Sequence, residues 1–195
     1  MILLDIENLK DAKITLSLIL LNIIFFFLFT IALPQVYILN FVQINANILY
    51  NYEIWRLITP IFLHANEIHL LSNMLALLLF GATVETNQKI TRLQFLLIYI
   101  ISGIIGNIFT LFLLPPYAVS LGASGAIFGL IGVALIMVAK ENRSLLPFAV
   151  LYVLYFIVAS LSPEINIWAH LAGLLGGLLC GYFFYYHKKS IEILY

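Results

Sequence analysis

The chain has 195 residues, of which 64% are hydrophobic and only 9% charged, at zero net charge and a mean hydropathy of +1.10. Soluble domains carry about 25% charged residues, so a soluble fold is excluded. Balanced charge with no basic arm or patch also excludes nucleic acid as a partner.

Several uncharged runs near the ~20 residues that cross a bilayer predict an all-α, polytopic membrane protein. It is expected to form a single domain over residues 1–195. Six spans are predicted, over residues 14–33, 69–85, 93–114, 124–139, 145–160 and 165–186. The first follows a mixed-charge start and exceeds the usual signal-peptide core. Its Thr30-Ile31-Ala32 is a poor cleavage site, so it reads as an uncleaved span. Connections are short except for residues 34–68, a semi-apolar loop rich in Asn, Tyr and Ile. Such a loop is expected to lie in the membrane interface rather than to form a disordered linker. The lone Cys180 lies in an apolar run, which excludes intramolecular disulfides and cysteine metal sites.

Charge sets the expected orientation. Lys10, Lys13, Lys89, Arg92, Lys140, Arg143, Lys188 and Lys189 fall on one side of the six spans, and Arg56 alone on the other. The positive-inside rule then puts both termini in the cytoplasm of a cell membrane and the long loop outside. Spans two, four and six run inward, so His69, Ser124 and His170 gather near the outer face. Span four, at sixteen residues, is ~24 Å long against a ~30 Å hydrocarbon core. Ser124 is therefore expected below the outer surface, where the loop over residues 115–123 dips in. Irregular backbone at that depth must be buried in protein or line water, which implies a wet pocket.

The chemistry centres on Gly122-Ala123-Ser124-Gly125-Ala126-Ile127-Phe128-Gly129. A serine at a helix N-terminus has free first-turn amides beside it and a dipole that favours negative charge. The small flanking residues allow a substrate backbone to approach. These are the needs of a serine nucleophile with an oxyanion site; the other reading is a small-residue stripe for close helix packing. His170, Gly173, Gly177 and Gly181 share one face of span six, and Gly125, Gly129 and Gly132 form a matching stripe on span four. Two glycine faces predict an imidazole within hydrogen-bond reach of the Ser124 hydroxyl, ~2.6–3.2 Å. A histidine in a span is a functional-site hypothesis, with a structural inter-helix hydrogen bond as the alternative.

Phe128, one turn beyond Ser124, either stacks beneath the His170 ring or fills the core. His69 and Asn73, four residues apart on one helix face, can donate to a developing oxyanion, or else tie down the adjoining loop. For His64 the loop-tying role is the expectation. Glu85, the only acid within a span, lies ~24 Å of helix from His69 at the inner end, so it cannot orient His170. The site is therefore expected to be a Ser–His dyad whose histidine is held by packing. A metal site is disfavoured, because no carboxylate or thiolate joins the histidines. No cofactor is implied.

Together, Gly122-Ala123-Ser124-Gly125 with Phe128 and Gly129, Ala169-His170 with Gly173 and Gly177, and His64, His69 and Asn73 resemble the rhomboid family of intramembrane serine proteases. The likeness extends to Trp55-Arg56 and to Gly81-Ala82-Thr83-Val84-Glu85, and looks like the minimal six-span prokaryotic form. The resemblance implies a rhomboid-like six-helix bundle with a membrane-associated loop between the first two spans. It implies Ser124 as nucleophile and His170 as base, then acid. The Ser124 amide, His69 and Asn73 would form the oxyanion hole, and Arg56 and Glu85 would have structural hydrogen-bond roles. Substrates are expected to be single-pass membrane proteins, cut near the outer end of the span where small or helix-breaking residues let it unwind. Span five, with Phe148, Tyr152, Tyr155 and Phe156 near one face, would border lateral substrate entry; lipid-facing aromatics are the simpler reading. Phe128 stands where some relatives carry tyrosine, which keeps ring stacking and loses a hydroxyl contact.

The competing reading within the family is an inactive rhomboid-like protein that binds membrane spans; an intact Ser124 and His170 speak against it. A small transporter would show broken mid-membrane helices and often inverted repeats, and neither is evident in the sequence.

Overall fold

The computed structural model describes residues 6–162 and 165–186; Lys188 and Lys189, used for the expected orientation, lie outside them. The first long helix, α1 (Lys13–Ala32), is followed by extended Leu33 ahead of Pro34, which cannot continue a helix. The long loop then folds into a two-residue strand, β1 (Gln43–Ile44), and a short helix, α2 (Asn45–Asn51). α3 (Glu67–Glu85) starts two residues before the predicted boundary. Asn66 caps it by accepting from the His69 amide at 2.8 Å, and Glu67 complements the helix dipole. α4 (Arg92–Leu113) opens on a capping box between Thr91 and Gln94. After strand β2 (Val119–Ser120) come α5 (Ser124–Glu141), α6 (Leu146–Ala159) and α7 (Ile167–Tyr186).

Five of these helices are long and apolar enough to cross a membrane. The predicted fifth span is a shorter apolar helix of 14 residues, bounded at its start by Pro147 in the first turn. α5 has 18 residues rather than sixteen. Its extra residues are Lys140 and Glu141, so the apolar length behind the depth expectation is unchanged while the helix reaches ~27 Å.

The bundle is organised around α5, 67% of which is buried against 22–39% for the other four long helices. Its glycines explain how it is enclosed. A Cβ on Gly173 would lie 2.1 Å from the Gly125 carbonyl oxygen, and one on Gly177 would lie 1.8 Å from that of Gly129. The backbones of α5 and α7 therefore touch where any side chain would hold them apart. α6 is more loosely held. Phe148, Tyr152 and Tyr155 are exposed, and Phe156 turns inward to meet Phe80 and Phe128 edge-to-face.

The long loop is pinned over the C-terminal end of α4. β1 pairs antiparallel with β2, Gln43 opposite Ser120 and Ile44 opposite Val119. Gln43 Nε2 donates to the Asn107 carbonyl at 2.9 Å, and Asn45 Nδ2 donates to the carbonyls of Thr110 and Leu114. Arg56 donates to the carbonyls of Leu39 and Val42, both at 2.6 Å, and pairs with Glu53. That guanidinium, with Asn47 beside it, holds the Glu53 carboxyl below its ordinary value.

Candidate active site

The chain enters the site through Gly122, whose φ of +133° is one that side-chain-bearing residues rarely adopt. Its amide donates to the Pro60 carbonyl at 2.9 Å, which ties this turn to the loop before α3. A Cβ here would lie 2.8 Å from His69 Nε2 and 3.7 Å from Ser124 Oγ. The glycine thus keeps open the space between that imidazole and that hydroxyl. Ser124 is the first residue of α5, and Ala123 before it provides no side-chain cap. The first-turn amide donors are left to a ligand or to water.

His170 lies in the first turn of α7, where Asn166 Oδ1 accepts from the Ala169 amide at 3.2 Å. Asn166 Nδ2 also donates to Thr110 Oγ1 at 2.7 Å and Ser120 Oγ at 2.9 Å, which fixes this helix end against α4 and β2. The glycine contact between α5 and α7 brings the imidazole flat onto Phe128, with centroids 4.4 Å apart and planes at 14°. Of the two readings of Phe128, the stacked one is observed. Among the described residues no hydrogen bond joins Ser124 Oγ to His170, so the expected direct bond is not observed. Catalytic hydrogen bonds are often long before substrate binds.

Besides the Phe128 ring, a neutral hydroxyl also meets His170. His170 Nδ1 lies 2.8 Å from the hydroxyl of Ser160, just beyond the end of α6. The sequence reading missed Ser160. Nothing in the local sequence distinguishes it from the nearby Ser162, Tyr152 and Tyr155 hydroxyls.

Asn73, one turn past His69 on α3, is 6% exposed, and its Nδ2 has no partner. His64 sits edge-on to His69, with centroids 5.0 Å apart and planes at 69°. Its ring makes no hydrogen bond, and the loop is tied instead by its backbone carbonyl, which accepts from Thr30 Oγ1 at 3.0 Å. Burial, reinforced by His69, pushes the His64 pKa down to about 3, so the ring is neutral at ordinary pH.

Two predicted supporting residues lie apart from this cluster. Arg56 organises the outer loop. Glu85, at the C-terminal end of α3, accepts from the amides of Ile14 at 2.8 Å and Thr15 at 2.7 Å and so caps α1. Gly125, Gly173 and Gly177 form the helix contact beneath the site. Among the described residues no group of three His, Cys, Asp or Glu is disposed to hold a metal. This end of the bundle thus combines a hydroxyl at a helix N-terminus, a stacked imidazole, and buried donors without partners.

Comparison with known proteins gives a consistent likeness. Residues 51–187 match the Rhomboid domain family model. The chain is 45% identical over 143 residues to the rhomboid-family protein YdcA of Bacillus subtilis, covering 68% of each chain. It is 37% identical over 144 residues to RHOMBOID-like protein 1 of Arabidopsis thaliana, covering 70% of this chain and 36% of that one. It is 42% identical over 131 residues to Rhomboid protease GluP of B. subtilis, covering 64% of this chain and 25% of that one. The chain thus spans two thirds of the first relative and about a third or less of the other two.

Proposed function

The chain belongs to the rhomboid family, and from that premise we propose that it is an intramembrane serine endopeptidase cutting single-pass membrane proteins near the outer ends of their spans. Ser124 Oγ attacks the scissile carbonyl carbon while His170 Nε2 takes the hydroxyl proton. The resulting oxyanion is held by the Ser124 amide, His69 and Asn73. His170 then passes its proton to the leaving amine as the carbon–nitrogen bond breaks. Water, deprotonated by the same imidazole, attacks the acyl-enzyme, releasing the new carboxyl terminus and restoring Ser124.

The observation that carries this reading is the flat stack of His170 on Phe128, one helical turn from a serine at an uncapped helix N-terminus. The unpartnered Asn73 Nδ2 supports the oxyanion role, because an unbonded buried donor costs free energy unless a ligand engages it. We further propose a cell-membrane location with both termini cytoplasmic, from the distribution of Lys and Arg.

The test is co-expression with a panel of tagged single-span proteins. A cleavage fragment is expected with the wild type and absent with Ser124→Ala. A fragment that persists with Ser124→Ala would end the protease reading. Capture of spans without cleavage would favour an inactive span-binding relative.

A further inference from the structure

In serine hydrolases built as triads, a carboxylate on Nδ1 fixes the tautomer of the base. Glu85, the one acid inside a predicted span, caps α1 at the opposite end of the bundle. Nδ1 of His170 meets the Ser160 hydroxyl instead, at 2.8 Å.

We propose that Ser160 is the positioning residue that fixes His170 as the Nδ1–H tautomer, doing with a neutral hydroxyl what a carboxylate does in a triad. This rests on the protease reading above. Ser160 Oγ lies 2.7 Å from the Phe156 carbonyl oxygen, which can only accept. The hydroxyl has one proton, and two acceptors, that carbonyl and an unprotonated Nδ1, cannot both receive it. The arrangement that satisfies every group has Ser160 donating to Phe156 and accepting from Nδ1–H. Nε2 then carries the free lone pair that a general base needs, because the bond made by one ring nitrogen sets the state of the other.

Two observations show that the hydroxyl is held in place. The Ser160 amide is bonded to the carbonyls of Phe156 at 3.1 Å and Ile157 at 3.0 Å. Ser160 is only 5% exposed and His170 6%, so bulk water does not compete for Nδ1. Phe156, whose carbonyl takes the Ser160 proton, also presents its ring edge-on to Phe128 beneath His170, with centroids 6.5 Å apart. One turn of the loosely packed α6 thus touches both the base and the ring on which it rests. An outward shift of that turn would release Nδ1.

A hydroxyl carries no charge, so it orients the imidazole and stabilises the imidazolium less than a carboxylate would. The expected effect of its loss is accordingly about tenfold, the worth of one hydrogen bond. The first measurement needs no variant at this position. In the wild-type protein labelled with 15N-histidine and held in detergent at neutral pH, the His170 signals are identified by their loss in His170→Asn. They are expected to show the proton on Nδ1; a proton on Nε2 would overturn the proposal.

The second measurement is the rate of labelling by a fluorophosphonate. Ser160→Ala is expected to slow it about tenfold, and Ser160→Thr, which keeps the hydroxyl, to retain it within about twofold. Unchanged labelling in Ser160→Ala, or equal loss in both variants, would reduce Ser160 to a packing role. Labelling that Ser124→Ala does not abolish would instead defeat the protease reading, and the 15N spectrum would still report on Ser160.

Discussion

At the end of the bundle where α1 begins and α5 ends, Lys89 Nζ lies 3.1 Å from Glu141 Oε1 and 3.3 Å from Tyr185 Oη, which itself donates to Glu141. Lys140 Nζ is bonded to the carbonyls of Tyr185 and Tyr186, and Glu85 closes the first turn of α1. At the end where α3 and α5 begin, Asn73 Nδ2 and both nitrogens of His64 are buried with no partner, and the first turn of α5 has no cap. Each unbonded buried group costs about 1–3 kcal/mol. Thr15 Oγ1, beside Glu85, is buried without a partner as well, so the contrast teaches that an open polar atom does not by itself mark a site; Asn73 is set apart by lying one turn past His69, whose imidazole borders Gly122.

The largest expected effect removes the frame that both ends share. Gly177→Val would force a side chain into the Gly129 carbonyl and separate α5 from α7. A loss of about 3 kcal/mol or more is expected, at the upper end of overpacking costs. It would be read as a collapse of the melting temperature in detergent; an unchanged melt would show that the helices part without cost.

Asn73→Ala sharpens the comparison. The expected result is a fall in turnover of about 10²–10³, the usual worth of one oxyanion donor. The melting temperature should hold or rise, because the removed donor has no hydrogen-bond partner. Loss of stability without loss of turnover would make Asn73 a structural residue.

His64 gives a pH test with a definite sign. Its folded pKa of about 3 lies below the ordinary histidine value of 6.5, so the unfolded chain takes up a proton that the folded one refuses. Its contribution is complete above about pH 6.5 and is lost as pH falls, at about 1.4 kcal/mol per unit, until the folded value is reached. Unfolding free energies at several pH values should show this slope in the wild type. His64→Gln should flatten it; the same slope in both proteins would assign the acid sensitivity elsewhere. The smallest effect belongs to the Lys89–Glu141 pair, where Lys89→Met should cost only about 0.2–1 kcal/mol, less at high salt, because this pair is substantially exposed. A cost several times larger would show that this cluster is central to the fold.

Much of this architecture was legible because membrane spans declare themselves by length and composition. The glycine spacings on α5 and α7 announced their contact, since only a missing Cβ permits backbones to meet. Asn66 signalled the start of α3, yet the boundary fell at His69 because a cap residue was read as loop. Pairing of β1 with β2 left no trace, as two residues are too few to show an alternation. Ser160 escaped for a different reason. Its role comes from Asn166 fixing the start of α7 beside the end of α6, a tertiary placement that no spacing along the chain encodes.

The proposed protease chemistry requires Ser124 to act as a nucleophile with His170 as its base. The most direct measurement is mass-spectrometric mapping of the adduct formed by a fluorophosphonate probe on the intact protein in detergent. The adduct is expected on Ser124 in the wild type, greatly diminished in His170→Ala and absent in Ser124→Ala. An adduct on another residue, or equal labelling of all three proteins, would contradict it.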